Sequence, residues 1–170
     1  MHLEAGTSVD RYEVTGLLCV GGMAVVYTVR HRMLHSDHVL KVLTLPGENL
    51  ASRLMDEGRV QARLKHRNIV EVTDVIEVHG APGLVMELVR GPSLDALLDG
   101  TPLHPELVDQ PAPGILAGVA AAHQLGFVHR DLKPANILLA VKRRRIVPKV
   151  ADFGLVKRLD ELDGKTRSGT

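Results

Sequence analysis

Short apolar runs separated by glycine and proline fill the first half of the chain, and this pattern predicts β-strands. Between Tyr12 and Val29 two such runs flank Gly21-Gly22, so we expect two strands joined by a glycine turn. Further runs at residues 38–45, 69–78 and 84–88 predict three more strands. The first half of the chain is therefore expected to contain five strands.

A single helix is predicted among these strands, because residues 50–64 place apolar side chains at helical spacing. Gly58 weakens this helix by about 1 kcal/mol relative to alanine. The segment Arg90-Gly91-Pro92-Ser93 is the natural linker. We therefore expect a first domain at residues 10–89 and a second at residues 90–170.

The second half is expected to be mainly helical. A short helix is predicted at residues 94–98, and a buried, alanine-rich helix at residues 114–125. Because proline disrupts a helix interior, Pro111 and Pro113 predict that the longer helix begins late. Two short apolar segments predict a small hairpin, residues 137–139 and 149–151.

The composition is that of an ordinary globular protein. Hydrophobic residues make up 45% of the chain and charged residues 24%, which argues against a disordered class. The net charge of +1 gives no general attraction to nucleic acid or to a membrane surface. The single cysteine, Cys19, cannot form an internal disulfide and suits a reducing compartment. Since we see no signal peptide and no segment long enough to span a bilayer, we expect a cytoplasmic protein.

Two motifs in the second half carry most of the chemical information. They are the octapeptide His129-Arg130-Asp131-Leu132-Lys133-Pro134-Ala135-Asn136 and the tripeptide Asp152-Phe153-Gly154. A lone Asp or Asn usually marks a turn or a cap, but these motifs, in this order, fit the catalytic loop and metal-binding segment of protein kinases. The chain thus resembles a eukaryotic-type serine/threonine protein kinase of the kind that bacteria also carry. The resemblance implies an α+β, protein-kinase-like fold, with a five-stranded antiparallel N-lobe that contains one helix and an incomplete helical C-lobe.

The resemblance also implies roles for the residues of these motifs. Asp131 would accept or orient the proton of the attacking hydroxyl, and Lys133 would neutralise charge on the transferred phosphoryl group. Asn136 and Asp152 would supply oxygen ligands to Mg²⁺. The implied reaction is transfer of the γ-phosphoryl group of ATP to serine or threonine hydroxyls of protein substrates, with no nucleic acid partner.

The first lobe would supply the residues that bind the nucleotide. By resemblance, Lys41 would reach the α- and β-phosphates, and Glu57 on the predicted helix would pair with it. Backbone groups of Glu87 and Val89 would bond the adenine edge. The glycine-rich loop keeps only the middle glycine of the family's three, and taken alone it is equally well explained as a tight hairpin turn. The residues that this loop would contribute are Leu18, Gly21, Gly22, Met23, Ala24 and Val26.

The resemblance ends at Thr170, inside what would be the activation segment, so we expect a kinase domain that is truncated there. Without the rest of the C-lobe, apolar faces would lack cover, which favours aggregation or a partner that covers them. Val39 also replaces the small alanine that the family places under adenine. Two alternatives therefore stay open: a catalytically impaired, nucleotide-binding pseudokinase-like fragment, and a non-functional truncated product.

Two other clusters carry weaker signals. His31, His35 and His38 lie near a predicted turn, but their spacing fits no firm metal site. The basic run Lys142–Arg145 lacks interleaved aromatic residues, so it is expected to solvate a hairpin turn rather than bind nucleic acid.

Overall fold

The computed structural model describes residues 2–22, 24–44, 58, 61–99, 109–142 and 145–153. The chain divides into two compact units. The first comprises the residues up to Arg63 together with Glu71–Leu88, and the second comprises Leu64–Val70 together with the residues from Val89 onward. The segment Leu64–Val70 thus belongs to the second unit, although in sequence it lies between two parts of the first.

The first unit contains a six-stranded sheet. Its strands are β1 (Ser8–Val9), β2 (Tyr12–Val20), β3 (Ala24–His31), β4 (Asp37–Leu43), β5 (Val72–Val78) and β6 (Ala81–Glu87). The order across the sheet is β1-β2-β3-β4-β6-β5, and every neighbouring pair is antiparallel. The five predicted strands are confirmed, and the two-residue strand β1 precedes them.

The hairpin of β5 and β6 differs from the prediction at its turn. We expected a longer loop, but only His79 and Gly80 form the turn, with positive φ angles of 51° and 83°. Two consecutive positive φ angles are typical of the type I′ turn, whose twist matches that of the flanking strands. The sheet tolerates Pro82 inside β6 because this residue lies beyond Gly83, the last β6 residue that pairs with β4.

One face of this sheet forms the core of the first unit. On β4, Leu40 and Val42 belong to the core, so Val39 and Lys41 lie on the opposite face. The buried residues of the core cluster are Leu3, Val9, Tyr12, Val14, Val25, Tyr27, Val29, Leu40, Val42, Ile76, Val78 and Val85.

The predicted helix at residues 50–64 lies mostly outside the described residues, but Gly58 and Gln61 are helical. A Cβ atom at Gly58 would lie 2.5 Å from Cδ2 of Leu84 and 3.3 Å from Cγ2 of Val75. The glycine therefore lets the helix approach β5 and β6 closely. This packing explains why glycine stands at position 58 although its helix propensity is poor.

The described part of the second unit contains two helices, a 3₁₀ turn and a hairpin. These elements are α1 (Leu94–Leu98), α2 (Ala112–Gln124), the 3₁₀ turn (Pro134–Asn136), β7 (Ile137–Lys142) and β8 (Arg145–Val150). Helix α2 begins earlier than predicted, because Pro111 is its N-cap and Pro113 stands in its first turn, where proline needs no N–H. Among the described helices, none is long and apolar enough to cross a membrane.

The segment Leu64–Val70 is held against α2 and β8. Nδ2 of Asn68 donates to the carbonyl of Pro148 at 2.8 Å, and the N–H of Val150 donates to the carbonyl of Asn68 at 2.8 Å. A Cβ atom at Gly118 of α2 would lie only 2.7 Å from that same carbonyl oxygen. The buried cluster of this unit consists of Leu64, Ile69, Ala122, Val150 and Phe153.

Candidate active site

Asp131 and Asn136 are joined by hydrogen bonds within the loop that follows α2. Asn136 is buried at the end of the 3₁₀ turn. Its Nδ2 donates to the carbonyl oxygen of Asp131 at 2.8 Å and to the carboxylate oxygen Oδ2 of Asp131 at 3.3 Å. A hydrogen bond to an ionised carboxylate is stronger than a neutral one and restricts its orientation. The predicted catalytic base and one predicted metal ligand are therefore in direct contact.

Lys133 lies against the same carboxylate. Its Nζ is 3.0 Å from Oδ2 of Asp131, and the two side chains are 53% and 45% exposed. An ion pair this exposed contributes little to stability. What it provides is a positive charge held directly beside the carboxylate, at a surface open to solvent.

His129 supports this loop, although the sequence reasoning gave it no role. The buried ring bonds the carbonyl of Ala151 through Nε2 at 2.7 Å, and its Nδ1 accepts the N–H of Asp131 at 3.3 Å. Because Nδ1 accepts, Nε2 must carry the donated proton. The ring also packs against Phe153, with centroids 4.7 Å apart. His129 thus connects the two motifs, and its place at the head of the octapeptide marks it as part of the first motif without indicating this contact.

The main chain adopts the left-handed conformation in both motifs. Arg130 has a φ angle of 62° and Asp152 one of 59°. Such conformations are unfavourable for residues other than glycine and concentrate at functional sites. The N–H of Ala151 donates to the carbonyl of Asn136 at 2.8 Å. The residue immediately before Asp152 is therefore tethered to the predicted metal ligand Asn136.

The side chains of Asn136 and Asp152 suit Mg²⁺ chemically. The two hydrogen bonds of the Asn136 amide described above use its nitrogen, so its oxygen Oδ1 is the atom that would bind a cation. Carboxylate and amide oxygens are the hard ligands that Mg²⁺ prefers. Within the described residues, no group of three or more His, Cys, Asp or Glu side chains forms another candidate metal site.

In the first unit, Lys41 is buried on β4, with 6% of its surface exposed. Cross-strand pairing places it between Val26 of β3 and Leu84 of β6, on the face opposite the core. Lysine is almost never buried to this extent unless it is paired. This burial favours a specific role for the ammonium group over that of a solvated strand-edge lysine.

The glycine-rich hairpin connects β2 and β3. The N–H of Gly21 donates to the carbonyl of Ala24 at 2.8 Å, and a Cβ atom at Gly22 would meet no atom within 4 Å. Leu18 is 53% exposed, whereas Val26 is half-buried on the face that carries Lys41. The hairpin therefore exposes the backbone of Gly22 and the apolar side chain of Leu18 to solvent, whereas the N–H of Gly21 is engaged within the hairpin.

Glu87 ends β6, where the adenine contact is predicted. Its N–H donates to the carbonyl of Glu71 at 3.0 Å, and its Oε1 accepts the N–H of Glu71 at 3.0 Å. Because the N–H is engaged, the backbone group that Glu87 could offer a ligand is its carbonyl. The other predicted contact, Val89, is half-buried at the start of the longer part of the second unit.

The predicted site residues are divided between the two units. The second unit holds Val89, Asp131, Lys133, Asn136 and Asp152, and the first holds Leu18, Gly21, Gly22, Ala24, Val26, Lys41 and Glu87. Met23 and Glu57 lie outside the described residues. The pairing of Glu57 with Lys41 therefore stays a prediction.

The ring nitrogens of His31 and His38 lie within hydrogen-bonding distance of neighbouring groups in the first unit. Nδ1 of His31 accepts two backbone N–H groups of the β3–β4 turn, and His35 is exposed. Nε2 of His38 lies 2.8 Å from the hydroxyl of Ser36, and its Nδ1 lies 3.5 Å from that of Thr73. Burial lowers the pKa of His38, and the charge of the nearby His31 lowers it further.

Comparison with known proteins agrees with this geometry. The sequence model of the protein kinase domain matches residues 12–170. The serine/threonine-protein kinase PknL of Mycobacterium tuberculosis is 37% identical over 159 residues, which cover 91% of this chain and 39% of PknL. The serine/threonine-protein kinase pkn3 of Myxococcus xanthus is 36% identical over 170 residues, which cover 94% of this chain and 31% of pkn3.

Solved structures show the same fold. The kinase domain of M. tuberculosis PknI superposes with a TM-score of 0.76 at 31% identity, covering 91% of this chain and 62% of that one. The apo form of PpkA-294 gives a TM-score of 0.82 at 21% identity, covering 98% of this chain and 66% of that one, and supports the fold alone. The chain thus spans well under half of the curated relatives and just under two thirds of these solved chains.

Proposed function

Because the chain belongs to the protein kinase family, whose members generally use ATP and Mg²⁺, we propose that it transfers the γ-phosphoryl group of ATP to protein serine or threonine hydroxyls. The lysine two residues after Asp131, followed by proline, resembles the serine/threonine class. The relatives named above carry that class in their names.

One observation carries the proposal: Lys133 and Asn136 both contact the carboxylate of Asp131. Oδ2 of Asp131 has the Lys133 ammonium at 3.0 Å and the Asn136 amide nitrogen at 3.3 Å. Phosphoryl transfer requires mainly positioning and neutralisation of charge. This arrangement supports both, since the carboxylate is oriented by one neighbour and accompanied by a cation from the other.

Each residue then has a distinct task. Asp131 orients the substrate hydroxyl and accepts its proton, and Lys133 neutralises charge on the transferred group. Asn136 would hold Mg²⁺ through Oδ1, and Asp152 would hold it through its carboxylate. The bound ion would offset the negative charge of the phosphates.

The residues of the first unit bind the nucleotide in this proposal. Lys41 contacts the α- and β-phosphates. The backbone at Gly21 and Gly22 approaches phosphate oxygens without side-chain obstruction, with the N–H of Gly22 as the donor because that of Gly21 bonds within the hairpin. Glu87 accepts from the adenine edge through its carbonyl, and Val89 supplies the second backbone contact. The division into an N-lobe at residues 10–89 and a partial C-lobe at residues 90–170 belongs to the same proposal. The cytoplasmic location and a partner that covers the C-lobe also remain predictions.

Transfer of radiolabelled phosphate from ATP to a generic basic protein tests the proposal. We expect incorporation by the wild-type chain and a loss of at least about 100-fold in Asp131→Asn, the order of magnitude for removing a general base. Asp99→Asn is the matched control, because Asp99 is an exposed carboxylate at the C-cap of α1 with a φ angle of 33°, which asparagine adopts readily.

The outcomes separate the proposal from a binding module. Signal in wild type and Asp99→Asn but not in Asp131→Asn supports catalysis by this chain. No incorporation in wild type, combined with a melting temperature that Mg-ATP raises, would refute catalysis by this chain and favour a nucleotide-binding module instead.

A further inference from the structure

Strand β2 contains two irregularities between its regular part and the glycine-rich hairpin. Pairing with β3 skips Thr15, because Val14 pairs with Val29 and Gly16 with Thr28. It also skips Leu18, which lies between the paired residues Leu17 and Cys19. An unpaired extra residue bends a strand and increases its twist, and such bulges re-aim side chains next to active sites. The direction of the hairpin therefore depends on these two bulges.

Two hydroxyl groups close the first bulge. Oγ1 of Thr15 donates to Oγ1 of Thr28 at 2.9 Å, and Oγ1 of Thr28 donates to the carbonyl oxygen of Gly16 at 3.3 Å. A Cβ atom at Gly16 would lie 3.2 Å from the Thr28 hydroxyl, so glycine leaves room for this contact. The three residues form a crosslink between β2 and β3 that is separate from the main-chain ladder; we name it the threonine crosslink.

The threonine crosslink lies on the face of the sheet that carries Lys41, the residue proposed to bind the phosphates. Side chains of β3 alternate, with Tyr27 in the core, so Thr28 and Val26 share the opposite face. Val26 pairs with Lys41 on that same face. The crosslink therefore acts on the strand pair that ends in the phosphate-binding glycines.

Packing alone restrains the hairpin weakly. Leu17, Leu18 and Val20 of β2 are 45%, 53% and 67% exposed. Segments with few buried apolar contacts open locally at low free energy. A side-chain hydrogen bond at the base of such an exposed hairpin therefore contributes more to its conformation than the same bond would contribute in a buried strand pair.

We propose that Thr28 is a positioning residue, whose hydroxyl fixes the bulge at Thr15 and thereby aims the glycine-rich hairpin at the phosphates of the nucleotide. This inference rests on the proposed function in that the ligand is Mg-ATP. Thr28 contacts no reacting atom and acts through the position of Gly21 and Gly22.

Thr28→Val tests the proposal, because valine keeps the shape of threonine and removes the hydroxyl. We expect the Kd for Mg-ATP, measured by calorimetry, to rise about two- to tenfold, the factor that corresponds to one net hydrogen bond. Amide hydrogen exchange at Gly21 should accelerate by a similar factor even without nucleotide. In the transfer assay KM for ATP should rise while kcat stays near wild type. Thr28→Ser keeps the hydroxyl and should restore all three values.

The matched control is Thr73→Val in β5. Thr73 also lies at a strand irregularity, and its hydroxyl donates to the carbonyl of Val85 at 3.2 Å. Its loss should leave the Kd and the exchange at Gly21 unchanged. Thr15→Val is a second, milder variant, since it removes one hydroxyl of the crosslink from an exposed position.

The exchange measurement separates failure of this inference from failure of the proposed function. If wild type binds no Mg-ATP, the proposed function is wrong, and exchange at Gly21 in the free chain still decides the crosslink. Faster exchange in Thr28→Val, but not in Thr28→Ser or Thr73→Val, supports the crosslink. Equal exchange in all four proteins overturns it, as does nucleotide binding by Thr28→Val that matches wild type.

Discussion

Gly118→Ala should destabilise the second unit, although helix propensity alone favours the change. Gly118 is buried inside α2, and alanine in a helix interior gains about 1 kcal/mol over glycine. The new Cβ atom would lie 2.7 Å from the carbonyl oxygen of Asn68 and 3.3 Å from its carbonyl carbon and its Cβ. Contacts that close are repulsive, so either α2 or the Asn68 segment must move.

The Asn68 segment is poorly placed to yield. Its carbonyl accepts from the N–H of Val150 at 2.8 Å, and its side chain donates to the carbonyl of Pro148 at 2.8 Å. Helix α2 must therefore shift outward by about half an ångström, and a gap of that size forfeits a quarter to a half of the contact energy along the packed face. Overpacking of this kind costs about 1–3 kcal/mol. After subtraction of the propensity gain, we expect a net loss of up to about 2 kcal/mol.

Thermal unfolding measures this loss. In a chain of this size, 1 kcal/mol corresponds to about 2–4 °C in the melting temperature, so Gly118→Ala should melt several degrees lower. Ala117→Gly, at an exposed position of the same helix, calibrates the propensity term and should cost about 1 kcal/mol. A melting temperature for Gly118→Ala that exceeds wild type by as much as Ala117→Gly lowers it would show that the close approach to Asn68 is absent.

Two further predictions concern buried polar groups in the first unit. Burial, the charge of Asp74 and the hydrogen bond that the Tyr12 hydroxyl donates to Asp74 at 3.1 Å raise the pKa of Tyr12 to about 12. The phenol stays protonated to a higher pH in the folded state than in the unfolded state. Its contribution to the free energy of unfolding is therefore complete below pH 10 and is lost as the pH rises towards 12. A pKa raised from 10 to about 12 corresponds to at most about 3 kcal/mol. In urea unfolding, the free energy of unfolding should therefore fall more steeply with alkaline pH in wild type than in Tyr12→Phe. Equal slopes in the two proteins would contradict the assignment. Separately, Oε1 of Gln61 is buried and has no hydrogen-bond partner among the described residues, which costs about 1–3 kcal/mol. Gln61→Met should therefore raise the melting temperature by a few degrees, whereas a decrease would mean that the amide is satisfied in solution.

The strands and helices were largely predictable because the sequence carries strong local signals. The glycine turn between β2 and β3 and the capped helix α1 follow from turn and cap chemistry. The turn between β5 and β6 was placed less well, because Pro82 and Gly83 resemble loop residues. In the structure Gly83 lies inside β6, where a Cβ atom would meet Val78 and Leu40 at 3.0 and 3.1 Å. The need for glycine at position 83 therefore arises from tertiary packing, which leaves no local signal in the sequence.

The candidate site shows the same division between local motif and tertiary contact. The octapeptide identified Asp131, Lys133 and Asn136, because their types and spacing are fixed by the chemistry. The role of His129 depends on Ala151 and Phe153, which are more than twenty positions away in the sequence. No periodicity reports a contact of that kind. The hydroxyl pair of Thr15 and Thr28 was invisible for the same reason, since the strand register is known only from the folded sheet.

An asparagine suits position 136 better than an aspartate, because its amide has a donor as well as an acceptor. Its nitrogen donates to the main chain and the carboxylate of Asp131, and its oxygen would bind the cation of the proposed function. An aspartate at this position would offer only acceptors. It would also place a second negative charge about 3 Å from Oδ2 of Asp131, where like charges raise each other's pKa. Among side chains of this length, only the amide carries a donor for the carboxylate and an oxygen ligand for Mg²⁺ at once.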